Sequence, residues 1–203
     1  MKVSLALTGG IASGKSTAVR ILRDQTATLS VFDCDAEVRL LLERFDVLDE
    51  LRCEFGSDIF NPVGELDRSA LRRRVFSSST KRGLLENIIH PRLRAKALQQ
   101  HAQWEDEVAE GLFLIDVPLL FENGFDFPYD YSVVVAVARA TQSKRIRARN
   151  GFDDRLIDQI IEAQLPWERK VDLGDYVLWN EGPEAVLRSQ IQILVAHLNT
   201  IHV

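Results

Sequence analysis

A glycine-rich segment near the start of the chain has the residue types and spacing that bind phosphate groups. It runs from Gly9 to Ser16, reads GGIASGKS and matches the pattern GxxxxGK[ST]. Glycines let successive backbone N–H groups turn toward one anion, and the helix that follows adds the partial positive charge of its N-terminus. Lys15 has the reach to contact the outer phosphates of a nucleotide, and the Ser16 hydroxyl can hold Mg²⁺. The segment predicts a site for a nucleoside triphosphate and Mg²⁺.

Carboxylates follow two other apolar runs of the sequence. Asp33 and Asp35 come after Leu29–Phe32, and Asp116 comes after Leu112–Ile115. In a parallel sheet the carboxyl ends of the strands form the ligand-binding edge, so these carboxylates are expected beside the phosphate loop. There they can orient an attacking hydroxyl or hold Mg²⁺, for which Asp116 is the candidate ligand beside Ser16. By position Asp35 can also be a helix N-cap, and that alternative stays open.

Basic side chains recur after the fourth apolar run, in the segment QSKRIRAR. Arg145 and Arg149 are four residues apart, so they share a helix face and are predicted to converge on one anion. Cations aimed at the transferring group assist phosphoryl transfer, and mobile lids commonly supply them. His90, directly before Pro91, is either a substrate contact or a core residue at a helix break.

Composition narrows the class of protein. The chain has 203 residues, of which 46% are hydrophobic and 27% are charged, a globular balance that argues against disordered and fibrous classes. A net charge of −5 argues against a nucleic-acid-coating protein. Residues 66–96 nevertheless carry nine basic and two acidic side chains, which favours an anionic ligand there. No aspartate stands three residues before a glycine and no Asn-Lys pair occurs, so a GTPase switch is disfavoured.

The elements that must position these residues read as an α/β fold. Five short apolar runs separated by helical patterns predict parallel strands. These runs are Val3–Thr8, Leu29–Phe32, Leu112–Ile115, Tyr131–Val137 and Tyr176–Trp179. Helices are predicted over Ser16–Arg23, Glu37–Phe45, Gln142–Asn150, Asp153–Gln164 and Glu184–Leu198. Residues from about 36 to 110 read as nearly all helix and are interpreted as an insert on one side of the sheet.

The location predicted from the sequence is the cytoplasm. The two cysteines, Cys34 and Cys53, do not have the spacing of a metal or redox motif, and no secretory signal precedes them. Isolated thiols of this kind fit a reducing compartment. No apolar run has the length of a membrane span. Neither a membrane nor a nucleic acid is expected as a partner.

Taken together, these residues resemble the dephospho-coenzyme A kinase family over nearly the whole chain. The matching segments are the phosphate loop with its Leu7-Thr8 lead, the Asp33/Asp35 pair with Arg39, Leu66-Asp67-Arg68 with Leu71, Ile89-His90-Pro91, the run from Asp116 to Glu122 (DVPLLFE), Gln142 with Arg145 and Arg149, and Gln164, Lys170, Asp175 and Asn180. Ala12 stands where the family usually has glycine.

The resemblance implies a P-loop kinase related to the nucleoside monophosphate kinases, with one kinase domain over residues 1–203. It would be a three-layer α/β/α structure with a five-stranded parallel sheet. The core would comprise residues 1–35, 111–140 and 171–203, the helical coenzyme-binding insert about 36–110, and the lid about 141–170. The implied reaction is ATP-dependent phosphorylation of the ribose 3′-hydroxyl of dephospho-CoA, so ATP, Mg²⁺ and dephospho-CoA are the expected ligands.

The resemblance also implies roles for individual residues. Catalytic roles fall to Lys15, to Asp35 as base or orienter of the hydroxyl, and to Arg145 and Arg149 as lid cations. The ATP site would comprise Ile11, Ala12, Ser13, Gly14, Lys15, Ser16, Thr17 and Asn180. The acceptor site would comprise Asp33, Arg39, His90, Asp116, Pro118, Leu119 and Leu120.

Two alternatives stay open from the sequence. One is another small-molecule P-loop kinase, of the nucleoside or shikimate type. The other is a non-catalytic ATP-binding module whose helical insert binds a protein partner.

Overall fold

A computed structural model of the chain describes residues 1–76, 78–124 and 126–202. Its centre is a parallel sheet of five strands: β1 (Lys2–Gly9), β2 (Leu29–Asp33), β3 (Gly111–Asp116), β4 (Tyr131–Ala136) and β5 (Tyr176–Trp179). The strand order is β2-β3-β1-β4-β5, so the strand that leads into the phosphate loop is the central one. The predicted α/β class with a five-stranded parallel sheet is confirmed.

Helices connect and cover these strands. They are α1 (Lys15–Gln25), α2 (Cys34–Leu41), α3 (Phe45–Phe55), a short 3₁₀ helix (Ser57–Ile59), α4 (Arg68–Phe76), α5 (Ser79–Glu107), α6 (Leu120–Asn123), α7 (Arg139–Asn150), α8 (Asp154–Glu162), α9 (Trp167–Leu173) and α10 (Glu184–Ile201). Within the described residues, no helix combines the length and apolar character needed to cross a bilayer.

Both faces of the sheet are covered, which is why its strands read as continuous apolar runs. On one face α1 and α10 bury Ile21, Leu22 and Ile191 against β1, β3, β4 and β5. On the other face the end of α5 packs its Trp104 ring 5.6 Å from the ring of Phe113 in β3. Each fully buried side chain of this size contributes roughly 1.5–3 kcal/mol to folding. The two covered faces hold the sheet, and therefore the edge that carries the site, in one position.

The chain divides into two compact units. One comprises Met1–Asp33 and Gln100–Val203 and contains the sheet. The other comprises Cys34–Gln99 and contains α2 to α4 and most of α5, packed around buried apolar residues such as Val47, Leu51 and Leu93.

Two local features differ from the expectation for helices. The helix predicted over Glu37–Phe45 is two helices, because α2 ends at Leu41 and α3 begins at Phe45. Arg44, which precedes α3, donates to both carboxylate oxygens of Asp46, and this local pair favours a new helix start there. Pro91 does not break a helix, since α5 runs through it; Arg92 adds a side-chain hydrogen bond to the Ile88 carbonyl in that turn.

Candidate active site

The phosphate loop joins β1 to α1 and has the backbone shape that its sequence predicts. Ala12 and Gly14 adopt positive φ angles of 58° and 98°, and the Ser13 N–H donates to the Gly10 carbonyl at 3.1 Å. Glycine is required at position 14, since a Cβ there would lie 2.2 Å from the amide nitrogen of Asn180. The wrapped backbone leads directly into the N-terminus of α1, where unpaired helical N–H groups attract anions.

Lys15 and Asp116 meet at the carboxyl edge of the sheet. Lys15 is the first residue of α1 and Asp116 is the last of β3, which pairs with β1 so that Asp116 aligns with Leu7. The ammonium and the carboxylate form an ion pair, and each side chain is 16% exposed. Asp33, the last residue of β2, aligns with Asp116 in the next pair of strands. The arrangement places one cation and two carboxylates at the mouth of the phosphate loop.

Four side chains from distant parts of the chain hold the backbone of the phosphate loop, and we call them the loop clamp: Gln142, Arg145, Gln164 and Asn180. Gln164 accepts from the Ile11 N–H at 2.8 Å, and Gln142 donates to the Ile11 carbonyl at 3.0 Å. Arg145 donates to the carbonyls of Ala12 and Ser13 at 3.1 Å each and to the Asn180 carbonyl at 2.8 Å. The Asn180 amide donates to the Ser13 carbonyl at 2.8 Å. Side-chain hydrogen bonds therefore fix the backbone shape of the loop over residues 11–13.

Glu181 anchors the start of α7, the helix that carries Gln142 and Arg145. Its carboxylate accepts from the Ala138 N–H and, at 2.7 Å, from the Thr141 hydroxyl. These two hydrogen bonds, with a smaller contribution from the positive charge of Arg145, lower the pKa of the Glu181 carboxyl. A carboxylate at a helix N-terminus is also favoured by the helix dipole.

The two predicted lid cations have different neighbours. Arg145 lies on the carbonyls of the phosphate loop, as part of the loop clamp. Arg149 is exposed at the end of α7, where it donates to the Asn150 side chain at 3.0 Å. The structure therefore does not bring the two guanidinium groups onto a shared partner, and their role as lid cations stays a prediction.

Three predicted acceptor contacts follow β3 in the sheet-containing unit. The Pro118 carbonyl accepts from the Thr8 hydroxyl at 3.4 Å, Leu119 precedes α6, and Leu120 is buried. Three other predicted site residues belong to the helical unit, Cys34–Gln99. Asp35 is exposed in the first turn of α2, Arg39 is exposed in its last turn, and His90 is half-buried within α5.

Sequence reasoning from the residues assigned no role to three residues that shape this site: Gln142, Gln164 and Glu181. The clamp contacts at Ile11 span 131 and 153 positions of the chain. No local pattern in the sequence reports a pairing over that distance. The resemblance singled out Gln142 and Gln164 by position, and it is the signal that pointed to them.

A phosphate loop after the central strand, with its lysine beside a strand-end carboxylate, defines a P-loop kinase, an ATP-dependent phosphotransferase. The family model for dephospho-CoA kinase matches residues 3–185. The chain belongs to the dephospho-CoA kinase family.

Individual relatives agree with this assignment. The chain is 35% identical to a dephospho-CoA kinase of Bacillus cereus over 205 residues, which covers 99% of this chain and 100% of that protein. It is 39% identical to a dephospho-CoA kinase of Symbiobacterium thermophilum over 189 residues, covering 93% and 78% of the two chains. A crystal structure from Thermus thermophilus matches with a TM-score of 0.83 and 29% identity, over 97% of this chain and 98% of that one.

Proposed function

We propose that this protein transfers the γ-phosphoryl group of ATP to the ribose 3′-hydroxyl of dephospho-CoA, giving coenzyme A and ADP. The observation that carries the proposal is the Lys15–Asp116 pair at the mouth of the phosphate loop, in a chain that belongs to the dephospho-CoA kinase family. A non-catalytic ATP-binding module does not need a lysine and a carboxylate that meet where the γ-phosphate would lie.

The donor side of the reaction uses the phosphate loop, residues 11–17, with Asn180 beside it. The N–H groups at the start of α1 bind phosphate oxygens, while the Ile11 N–H is engaged by Gln164 and fixes the outer part of the loop. Lys15 leaves Asp116 for the β- and γ-phosphates when ATP enters, because two phosphates offer more negative charge than one carboxylate. We assign Arg145 and Arg149 to stabilising the negative charge on the transferring phosphoryl group. Arg149 would reach that group by movement of its exposed side chain.

The residues at this edge fit a Mg²⁺ ion. Mg²⁺ in kinases is bound by one or two oxygen side chains together with substrate phosphates and water. The Ser16 hydroxyl and the Asp116 carboxylate supply such ligands, and Asp33 lies level with Asp116. The described residues contain no cluster of three or more His, Cys, Asp or Glu side chains, and a site shared with ATP does not need one. The bound ion would supply positive charge that neutralises the charge developing on the transferring phosphoryl group.

The roles on the acceptor side follow the resemblance to the dephospho-CoA kinase family. We assign orientation of the 3′-hydroxyl, or acceptance of its proton, to Asp35, and contacts to the acceptor to Asp33, Arg39, His90, Asp116, Pro118, Leu119 and Leu120. An attacking hydroxyl needs alignment with the γ-phosphorus, which a hydrogen bond to a carboxylate provides.

We also propose a reducing compartment, the cytoplasm, as the place of action. Cys34 is buried, Cys53 is exposed, and both are free thiols. Free thiols persist where glutathione and thioredoxin keep them reduced. Small molecules are the proposed partners, with no role for nucleic acid.

The proposal is tested by measuring ADP release with four separate acceptors: dephospho-CoA, adenosine, AMP and shikimate. We expect turnover with dephospho-CoA, dependence on added Mg²⁺, and a new 3′-phosphomonoester signal by ³¹P NMR. The Lys15→Ala protein, purified in the same way, controls for a contaminating kinase. Turnover with another acceptor and none with dephospho-CoA would overturn the proposed substrate. ATP binding without turnover on any acceptor would favour the binding module.

A further inference from the structure

A buried ion pair joins the segment after β3 to α9. The Lys170 ammonium donates to Glu122 Oε1 at 2.5 Å. The Lys170 side chain is 1% exposed and that of Glu122 is 15% exposed. Glu122 lies in α6, six residues after Asp116, and Lys170 lies in α9 at the end of the predicted lid.

This pair is poorly suited to a role in stability alone. Removing two charges from water costs about as much free energy as their attraction returns, so apolar residues of similar size commonly stabilise a core as well. The other oxygen, Glu122 Oε2, is buried and has no hydrogen-bond partner among the described residues. A buried acceptor left unpaired adds to the cost. The presence of this pair is therefore better explained by the position it imposes on the chain than by the free energy it contributes to folding.

What the pair fixes is the chain beside Gln164. Glu122 Oε1 also accepts from the backbone N–H of Leu165 at 3.0 Å. One carboxylate oxygen thus holds both the Leu165 N–H and the Lys170 ammonium. Leu165 directly follows Gln164, whose side-chain oxygen accepts from the Ile11 N–H at 2.8 Å. The contacts form a continuous path from Glu122 to the backbone of the phosphate loop.

We propose that Glu122 is a positioning residue of the ATP site. Through Leu165 and Lys170 it sets the Gln164 side chain, and Gln164 in turn sets the Ile11 amide of the phosphate loop. The end of β3 and the segment after it then contribute two contacts to the ATP site. Asp116 pairs with Lys15 at one end of the phosphate loop, and Glu122 fixes the other end. The inference rests on the proposed function in that it takes this loop as the ATP site.

The first test measures the loop itself, without nucleotide. Backbone amide hydrogen exchange by NMR reports protection of the Ile11 N–H. We expect Gln164→Ala and the charge-neutral double variant E122L/K170M, which removes the acceptor for the Leu165 N–H, to speed that exchange about tenfold each, as loss of one hydrogen bond does. The double variant avoids leaving a buried charge unpaired. The Ala18 amide, which donates to the Gly14 carbonyl, should stay protected in every protein. Asp154→Asn, which breaks the exposed Arg147–Asp154 pair, is the matched control and should change neither amide.

The second test asks whether Glu122 acts through Gln164. We expect Gln164→Ala and E122L/K170M each to raise KM for ATP about tenfold, with KM for dephospho-CoA changed by less than about twofold. The triple variant should be no worse than Gln164→Ala, since two steps of one path are not additive.

Multiplied losses in the triple variant, or unchanged Ile11 exchange and ATP KM in E122L/K170M, would overturn the proposal. A double variant that fails to fold would also overturn it, by making the pair an element of stability. Absence of wild-type turnover with dephospho-CoA would refute the proposed function alone, since the exchange experiment uses no substrate.

Discussion

Ala12 is the residue of the phosphate loop whose side chain conflicts with its backbone. Its φ of 58° lies in the left-handed region, where a Cβ crowds the following carbonyl at a cost of roughly 1–2 kcal/mol. Two members of the loop clamp hold it there, since Arg145 binds its carbonyl and Gln142 binds the carbonyl of Ile11. The strain is therefore maintained by contacts elsewhere in the fold.

Ala12→Gly should relieve this strain. Glycine adopts the angle without a steric cost but gains freedom in the unfolded chain, so we expect the free energy of unfolding to rise by about 0.5–1 kcal/mol. Urea denaturation measures the change. Gly64→Ala is the matched control: its φ is 88° and no atom lies within 4 Å of the added Cβ, so it should destabilise by about 1 kcal/mol. A less stable Ala12→Gly protein would contradict this account of the loop.

Lys15→Ala should abolish turnover and leave the fold intact. The ammonium is the positive charge that we assign to the β- and γ-phosphates, and loss of such a group lowers rates roughly 10³-fold. Coupled ADP release measures the loss, and circular dichroism measures the fold. Lys144→Ala, an exposed lysine of α7, is the control and should keep wild-type turnover. Near-normal turnover of Lys15→Ala would mean that the phosphate loop is not the catalytic site.

At the scale of elements, α7 connects the phosphate loop to the end of β5. Glu181, after β5, holds the first turn of α7, while Gln142 and Arg145 on its inner face bind the loop. The position of α7, and therefore of the phosphate loop after β1, is tied to the end of β5.

Substitutions along α7 should separate its inner face from its exposed one. We expect Arg145→Ala to lower kcat/KM for ATP roughly 10²-fold, because three carbonyls lose a charged donor. Arg145→Lys should restore little of this activity, because an ammonium cannot reproduce the forked set of N–H donors of a guanidinium. Arg149→Ala should lower kcat more than it weakens acceptor binding. Steady-state kinetics measures both. Equal losses from Lys144→Ala and Arg147→Ala would indicate a diffuse basic helix and contradict the specific assignment.

The anchor of α7 should depend on pH. Hydrogen bonds from Thr141 and Ala138 lower the pKa of Glu181 below its ordinary value of 4.5. A lowered pKa in the folded state means that the carboxylate stabilises the fold at neutral pH and that this contribution disappears as pH falls through the folded pKa. Glu181→Gln should therefore be less stable than wild type at pH 7, by less than about 1 kcal/mol, with the difference shrinking as pH falls below 4.5 and vanishing once pH is below the folded-state pKa. Denaturation at both pH values tests this, and a difference that persists in acid would exclude the carboxylate as its source.

At the scale of the whole molecule, the residues to which roles are assigned are divided between the two compact units. Lys15 and Asp116 belong to the sheet-containing unit, whereas Asp35, Arg39 and His90 belong to the helical one. The division falls between Asp33 and Cys34, so adjacent carboxylates of the Asp33/Asp35 pair are assigned to different units.

Asp35→Asn tests whether the helical unit supplies a catalytic group. Asparagine keeps the shape and can still favour a helix start, so a purely structural role predicts little change. A role in orienting or deprotonating the hydroxyl predicts a kcat about 10²-fold lower, with ATP and dephospho-CoA binding largely unchanged. A modest loss would favour orientation over proton transfer, since a loose transition state needs little proton removal. Wild-type kcat with unchanged melting would reassign the role to Asp33 or Asp116.

The parts of this molecule that sequence predicts are those set by local patterns. All five strands were predictable, since buried parallel strands such as β4 are short unbroken apolar runs, and the phosphate loop is a contiguous motif. The end of α2 at Leu41 was not predictable, because the helical periodicity of the sequence continues through it. The Arg44–Asp46 pair nevertheless favours the start of a new helix at Phe45. Passage of α5 through Pro91 was also not predictable, since tertiary packing of Ile89 and Leu93 outweighs one lost hydrogen bond. The clamp on residues 11–13 depends on partners more than 130 positions away.

That separation has a consequence for how the chain matures. Translation adds about 5–20 residues per second, so Asn180 leaves the ribosome roughly ten to thirty seconds after the Ser13 carbonyl that it binds, 167 positions earlier. The central strand β1 likewise waits for β3 and β4 before it has neighbours on both sides. A nascent chain that stops short of Gln164 carries the complete nucleotide motif but lacks Gln164 and Asn180, two of the four residues of the loop clamp. Competence to hold nucleotide is therefore acquired near the end of synthesis, although its signature is among the first residues made.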